Sequence, residues 1–156
     1  MHKFNGELIF SPSDLVGFTY SEFASWMDRF KLECNPEAPE PDAVDSFMQL
    51  LFAKGESHEA AMLNTFAAQG LTIANLSLDL LGKDASFIQK QQATFEAMQA
   101  GVDVVYQAAL ELLPFRGFAV FLIKVPNQQG QTSNLGDYHY EVWDTKLSRS
   151  LVYRSG

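Results

Sequence analysis

The chain of 156 residues has the length of one domain with a substantial core, and 47% hydrophobic with 19% charged residues is the composition of a folded globular protein. A net charge of −8 argues against nonspecific nucleic-acid binding, which needs a cationic surface, so any DNA contact is expected to be local. No apolar run reaches the ~18–20 residues of a membrane span, "MHKFNGELIFSPSD" lacks the apolar stretch of a signal peptide, and a lone Cys34 leaves no internal disulfide or Cys-rich metal site, which together point to a reducing cytoplasm.

In chain order, "SPSD" (11–14) reads as a helix start, with Ser11 as N-cap, Pro12 in the first helical position and Asp14 completing a capping-box spacing. The helix is expected to run to about Leu32, with Leu15, Phe18, Phe23, Trp26, Met27 and Phe30 near one side. Three prolines in "NPEAPEP" (35–41) end it. A second helix is expected from about Asp42 to Gln69, where Phe47, Leu51, Gly55, His58, Met62 and Phe66 fall on one stripe. His58 then points inward, Glu59 lies just off that face, and Gly55 marks a place for a kink or break. "LTIANLSLDL" (71–80) fits a short strand and a turn, and residues 84–100 a third helix ended by Gly101. The thirteen Phe are expected to supply much of the core.

Thereafter the period changes. "VDVVYQAALEL" (102–112), "RGFAVFLIKV" (116–125) and "YHYEVWDTKLS" (138–148) are rich in β-branched and aromatic residues, punctuated by Pro114 and the loop "PNQQGQTSNLGD". The expected fold is α/β or α+β, a single domain with a helical part over about 1–100 and a sheet part over about 101–156. N-terminal helices pack on a mainly antiparallel sheet of three to four strands. The acidic excess is confined to the helical part, fourteen Asp and Glu against six Lys and Arg, while residues 101–156 carry five of each. Asp144 and Lys146, two apart in the last strand, share a face and could be a plain ion pair; Glu141 has the opposite parity. His58 on an apolar stripe could equally be a core histidine.

Four stretches in this order and spacing, "SPSDLVGF" (11–18), "KGESHEAAML" (54–63), "GVDVVYQAAL" (101–110) and "RGFAVFLIKV…YEVWDTKLSRS" (116–150), resemble the RecB-like branch of the PD-(D/E)XK nuclease superfamily, hydrolases of DNA repair. The resemblance implies a restriction-endonuclease-like core and a metal-dependent DNA phosphodiesterase ancestry. It matches His58 to the helical metal ligand, Asp144 to the strand acid that binds Mg²⁺ or Mn²⁺, and Lys146 to the lysine that orients or activates the attacking water. Hard divalent ions want oxygen ligands, and the metal both polarises the phosphate and generates the nucleophile. Glu59 and Gln107, the latter in the matching "QAAL" strand, are implied next to the site as substrate contacts or as supports of the ligands.

Three departures shape the expected function. The family's metal-binding Asp corresponds to Val120, in "GFAVF", which leaves a weak site for Mg²⁺ or Mn²⁺. Its "CP" reads Ser21-Glu22, so no iron–sulfur cluster is expected. Its helix with a Gln and a Tyr beyond the lysine has no counterpart before Gly156, so the core is expected to lack a C-terminal helix, and the chain to be a truncated N-terminal portion of a larger protein. The first reading is therefore a degenerate or inactive nuclease domain. The alternative is a non-catalytic module that binds nucleic acid or protein and forms a homodimer through an exposed sheet.

Overall fold

The computed structural model describes residues 1–34, 45–77 and 86–145. Over these described residues it is mixed α+β, with four helices, a two-stranded hairpin and a four-stranded sheet. In chain order the elements are β1 (His2–Phe4), β2 (Glu7–Ile9), α1 (Pro12–Tyr20), α2 (Glu22–Glu33), α3 (Ser46–Ala68), β3 (Ile73–Asn75), α4 (Phe87–Gln99), β4 (Val104–Leu112), β5 (Phe115–Pro126) and β6 (Tyr138–Trp143). The sheet runs β3-β4-β5-β6: β3 is parallel to β4, and β4, β5 and β6 form the expected antiparallel meander.

The N-terminal hairpin is absent from the sequence expectations. Asn5 and Gly6 both have positive φ, 50° and 85°, which is the backbone a two-residue type I′ turn demands and the reason Asn-Gly favours it. Phe10 carries this hairpin to the body of the fold: its N–H donates to the Pro114 carbonyl and its carbonyl accepts from Arg116 N–H, both at 2.9 Å. The Arg116 guanidinium lies over the rings of Phe4 and Phe87 and pairs with Glu111.

α1 opens with the expected capping box, Ser11 hydroxyl to Asp14 N–H and Asp14 carboxylate to Ser11 N–H. The single helix expected to Leu32 is two helices, because Ser21 is extended (φ −158°, ψ 103°). Its N–H closes α1 on the Gly17 carbonyl and its hydroxyl caps α2 at Ala24 N–H. α3, by contrast, passes through Gly55 unbroken, its N-cap being Asp45. The expected proline break at 35–41 lies outside the described residues, as does the end of "LTIANLSLDL".

Two apolar clusters lie on opposite faces of the sheet. Phe66, Met62 and Leu63 of α3 pack with Val104 and Phe121 on one face; Ala93, Ala97 and Met98 of α4 pack with Val105 and Leu122 on the other. Helices thus cover both faces, because β3 and β4 are parallel and the chain must cross over through α4. The Phe-rich core expected from composition is not what forms. Among the described residues only Phe66 and Phe121 are buried, meeting edge to face at 5.5 Å, and Val, Ala, Leu and Ile fill most of the remainder. Phe18, Phe23, Trp26, Phe47 and Phe52 on α1, α2 and the first half of α3 are exposed.

Candidate functional site

The centre of β4 contains a feature that regular strand geometry does not explain. Gln107 has φ 57°, the left-handed region that a non-glycine residue occupies at a cost of ~1–3 kcal/mol and that recurs at functional sites. The register pairs Tyr106 with Phe121 and Ala108 with Ala119, so Gln107 stands opposite Val120, yet these two form no ladder pair. Both strands swap faces there. Val104 and Tyr106 belong to the α3-side cluster whereas Ala108 and Leu110 belong to the α4 side; on β5, Ala119 lies with α4 while the consecutive Val120 and Phe121 both lie with α3. Strict alternation forbids this, and the rotated peptide at Gln107 supplies the missing half-turn.

The freed backbone is satisfied from α4. Thr94, which has no exposed surface, accepts from Ala109 N–H at 3.0 Å and donates to the Lys90 carbonyl at 2.8 Å. From the other side α3 brings Glu59, whose Oε2 accepts the Tyr106 hydroxyl at 2.8 Å and Gln107 Nε2 at 3.3 Å. Burial, and then the Glu59 carboxylate, push the Tyr106 hydroxyl above the usual tyrosine range. Glu59, Tyr106 and Gln107 line a cavity of about 570 Å³ between α3 and α4, with Glu56, Ser77 and Lys90 as its other polar walls and Leu76 and Phe118 as its apolar ones. Asn75 fixes the entry by accepting Ser77 N–H at 3.0 Å.

The structure brings Glu59 and Gln107 together, 48 positions apart in the chain. His58, the residue before Glu59 on α3, is half-buried, and its imidazole makes no hydrogen bond or ion pair among the described residues. Val120 packs against the Phe66–Val104–Phe121 cluster. The strand expected over 138–148 ends at Trp143, so Asp144 lies one residue beyond it, exposed, and Lys146 lies outside the described residues. The last ladder pair is Phe121 with Trp143, and Asp144 follows directly after it. The Thr145 hydroxyl in the middle of Asp-Thr-Lys is buried and has no hydrogen-bond partner among the described residues.

The ligand set that the family resemblance implies for Mg²⁺ or Mn²⁺ is not assembled by the described residues: no three His, Cys, Asp or Glu side chains among them group as an ion would need. His58 and Asp144 alone do not fit an ion that prefers several oxygen donors in near-octahedral array. No helix among the described residues is long and apolar enough to cross a membrane.

Two cavity residues escape a sequence reading. Tyr106 looks like an ordinary strand aromatic until Glu59 is placed above it. Lys90 lies in a Gln-rich helix; the signal was its spacing to Thr94 and Ala97, i, i+4 and i+7, which puts it on the buried stripe of α4. No family model matches the chain, and neither the curated proteins nor the solved structures contain a match to it.

Proposed function

We propose that this chain is a RecB-like PD-(D/E)XK nuclease-fold domain, descended from a metal-dependent DNA phosphodiesterase and without ordinary nuclease activity, that retains a local nucleic-acid site. The observation that carries the reading is that Gln107 on β4 stands opposite Val120 on β5, between the pairs Tyr106–Phe121 and Ala108–Ala119, with Glu59 of α3 bonded to Gln107. Position 120 is where the resemblance calls for an acid, and a valine there supplies no oxygen to a metal ion.

Calorimetric titration with Mn²⁺ and Mg²⁺, run beside cleavage of single-stranded DNA, tests the proposal. The natural chain is expected to cleave nothing. Val120→Asp is expected to gain Mn²⁺ affinity, and the double variant Val120→Asp with Asp144→Ala to lose it. A Val120→Asp protein that folds and gains no metal affinity overturns the nuclease-fold assignment.

The second reading, a protein-assembly module, is favoured by the aromatic run on α2. Phe23, Trp26 and Phe30 stack in sequence with ring centroids 6.2 and 5.3 Å apart, and Phe23 is 70% exposed. A patch of this kind is a common mark of an interaction surface. Sedimentation equilibrium tests it: a homodimer weakened by Phe23→Ser supports assembly, and a monomer at all concentrations removes self-association.

A further inference from the structure

We propose that Lys90 anchors the phosphate group of a nucleotide, free or at the end of a nucleic-acid strand, in the cavity between α3 and α4; the inference rests on the nucleic-acid reading above. Lys90 is 6% exposed, yet among the described residues its ammonium makes no hydrogen bond or ion pair. Its ammonium sits 5.2 Å from the centroid of the Phe118 ring and lines the cavity. A buried cation without a counter-anion is unfavourable, and a cation–π contact offsets part of that cost, leaving a strong preference for an incoming anion.

The opposite wall defines the rest of the ligand. Glu56 and Glu59 of α3 face the same cavity, and neither forms an ion pair with Lys90. Of the Glu59 oxygens, Oε2 holds Tyr106 and Gln107, and Oε1 carries no hydrogen bond among the described residues. A bare anion would be attracted by Lys90 and repelled by the two carboxylates. A nucleotide answers both walls, its phosphate toward α4 and the amino or hydroxyl donors of base and sugar toward α3. A cavity of about 570 Å³ also exceeds what inorganic phosphate fills.

The test is an NMR titration of the whole chain with deoxyadenosine 5′-monophosphate, deoxyadenosine and inorganic phosphate. The monophosphate is expected to bind tighter than either fragment. Lys90→Met should weaken it about ten- to hundredfold, the loss of one charge-assisted bond, while Lys90→Arg should retain most of the affinity. Oligo(dA) with and without a 5′-phosphate separates the two sources: a preference for the phosphorylated strand assigns a strand end, and binding of the free nucleotide alone assigns a nucleotide site. Should Lys90→Met fail to fold, the Lys90 ¹³Cε resonance of the natural protein decides. A shift on adding monophosphate supports the proposal, and an unmoved resonance overturns it. Monophosphate binding that a folded Lys90→Met leaves unchanged, or no binding at all, also overturns it. Single-stranded DNA binding that ignores Lys90→Met would sink this inference and leave the nucleic-acid reading standing. Lys90-dependent nucleotide binding without metal gain in Val120→Asp would do the reverse.

Discussion

The carboxylate of Glu59 on α3 accepts the hydroxyl of Tyr106 on β4 at 2.8 Å, a bond between residues 47 positions apart. It ties the middle of α3 to the sheet, whereas Phe66 secures its buried end. Tyr106→Phe keeps the ring against Phe121, 5.3 Å between centroids, and removes only the hydroxyl. It is expected to cost about 1 kcal/mol. Urea unfolding measures this, and an unchanged midpoint would mean the bond does not help hold α3.

Thr94 is the support beneath the distorted strand. Its hydroxyl is the acceptor for Ala109 N–H and has no exposed surface of its own. Thr94→Val preserves shape and leaves that N–H without a partner, so a loss of about 1–3 kcal/mol is expected. Amide exchange is the more specific readout: Ala109 should lose protection while β6 keeps it. Uniform loss across the sheet would assign Thr94 a general packing role.

Much of this architecture was readable because it rests on local signals. The Ser11–Asp14 capping box and the change of period after Gly101 need only neighbouring residues, and the structure contains both. Of the stripe expected along α3, Met62 and Phe66 pack on the sheet, whereas Phe47 and Leu51 are exposed. The Asn5-Gly6 turn was equally local, but its flanking strands are three residues long, too short to show alternation. Ser21 was hidden because the same apolar spacing runs through α1 and α2, so periodicity alone joins them. The site was legible only as separate names. Glu59 and Gln107 can be picked from the chain, but their meeting depends on a backbone rotation at Gln107 that no side-chain pattern announces. Lys90 runs against the rule that lysines stay at the surface, and it is buried here because Thr94, one turn on, must reach β4.

Gly117, the first residue of "GFAVF", is set by packing. A Cβ there would lie 2.6 Å from Cδ of Pro12, so the start of α1 rests directly on β5. Gly117→Ala must push α1 away and is expected to cost about 1–3 kcal/mol, the usual penalty of overpacking. Combining it with Pro12→Ala removes the opposing ring and should return part of that loss in thermal melts. If the two changes simply add, the clash is not the cause.

The Tyr140 hydroxyl gives the fold a marker at alkaline pH. It donates to the Val102 carbonyl, joining β6 to the start of β4, and its ring meets Tyr138 at 5.9 Å. Burial, and then the neighbouring Tyr138 and Asp103, push its pKa up to about 12, above the ordinary value near 10. A raised folded pKa means the native state holds this proton more tightly than the unfolded chain. The associated stabilisation is therefore complete below about pH 10 and is lost as pH rises through about 12. A pH jump followed at 295 nm, read before unfolding, should show a Tyr140 fraction that ionises at about pH 12. Tyr140→Phe should abolish that step and flatten the fall of stability between pH 10 and 12. Titration of every native tyrosine near pH 10 would show that the β6–β4 link is open to water.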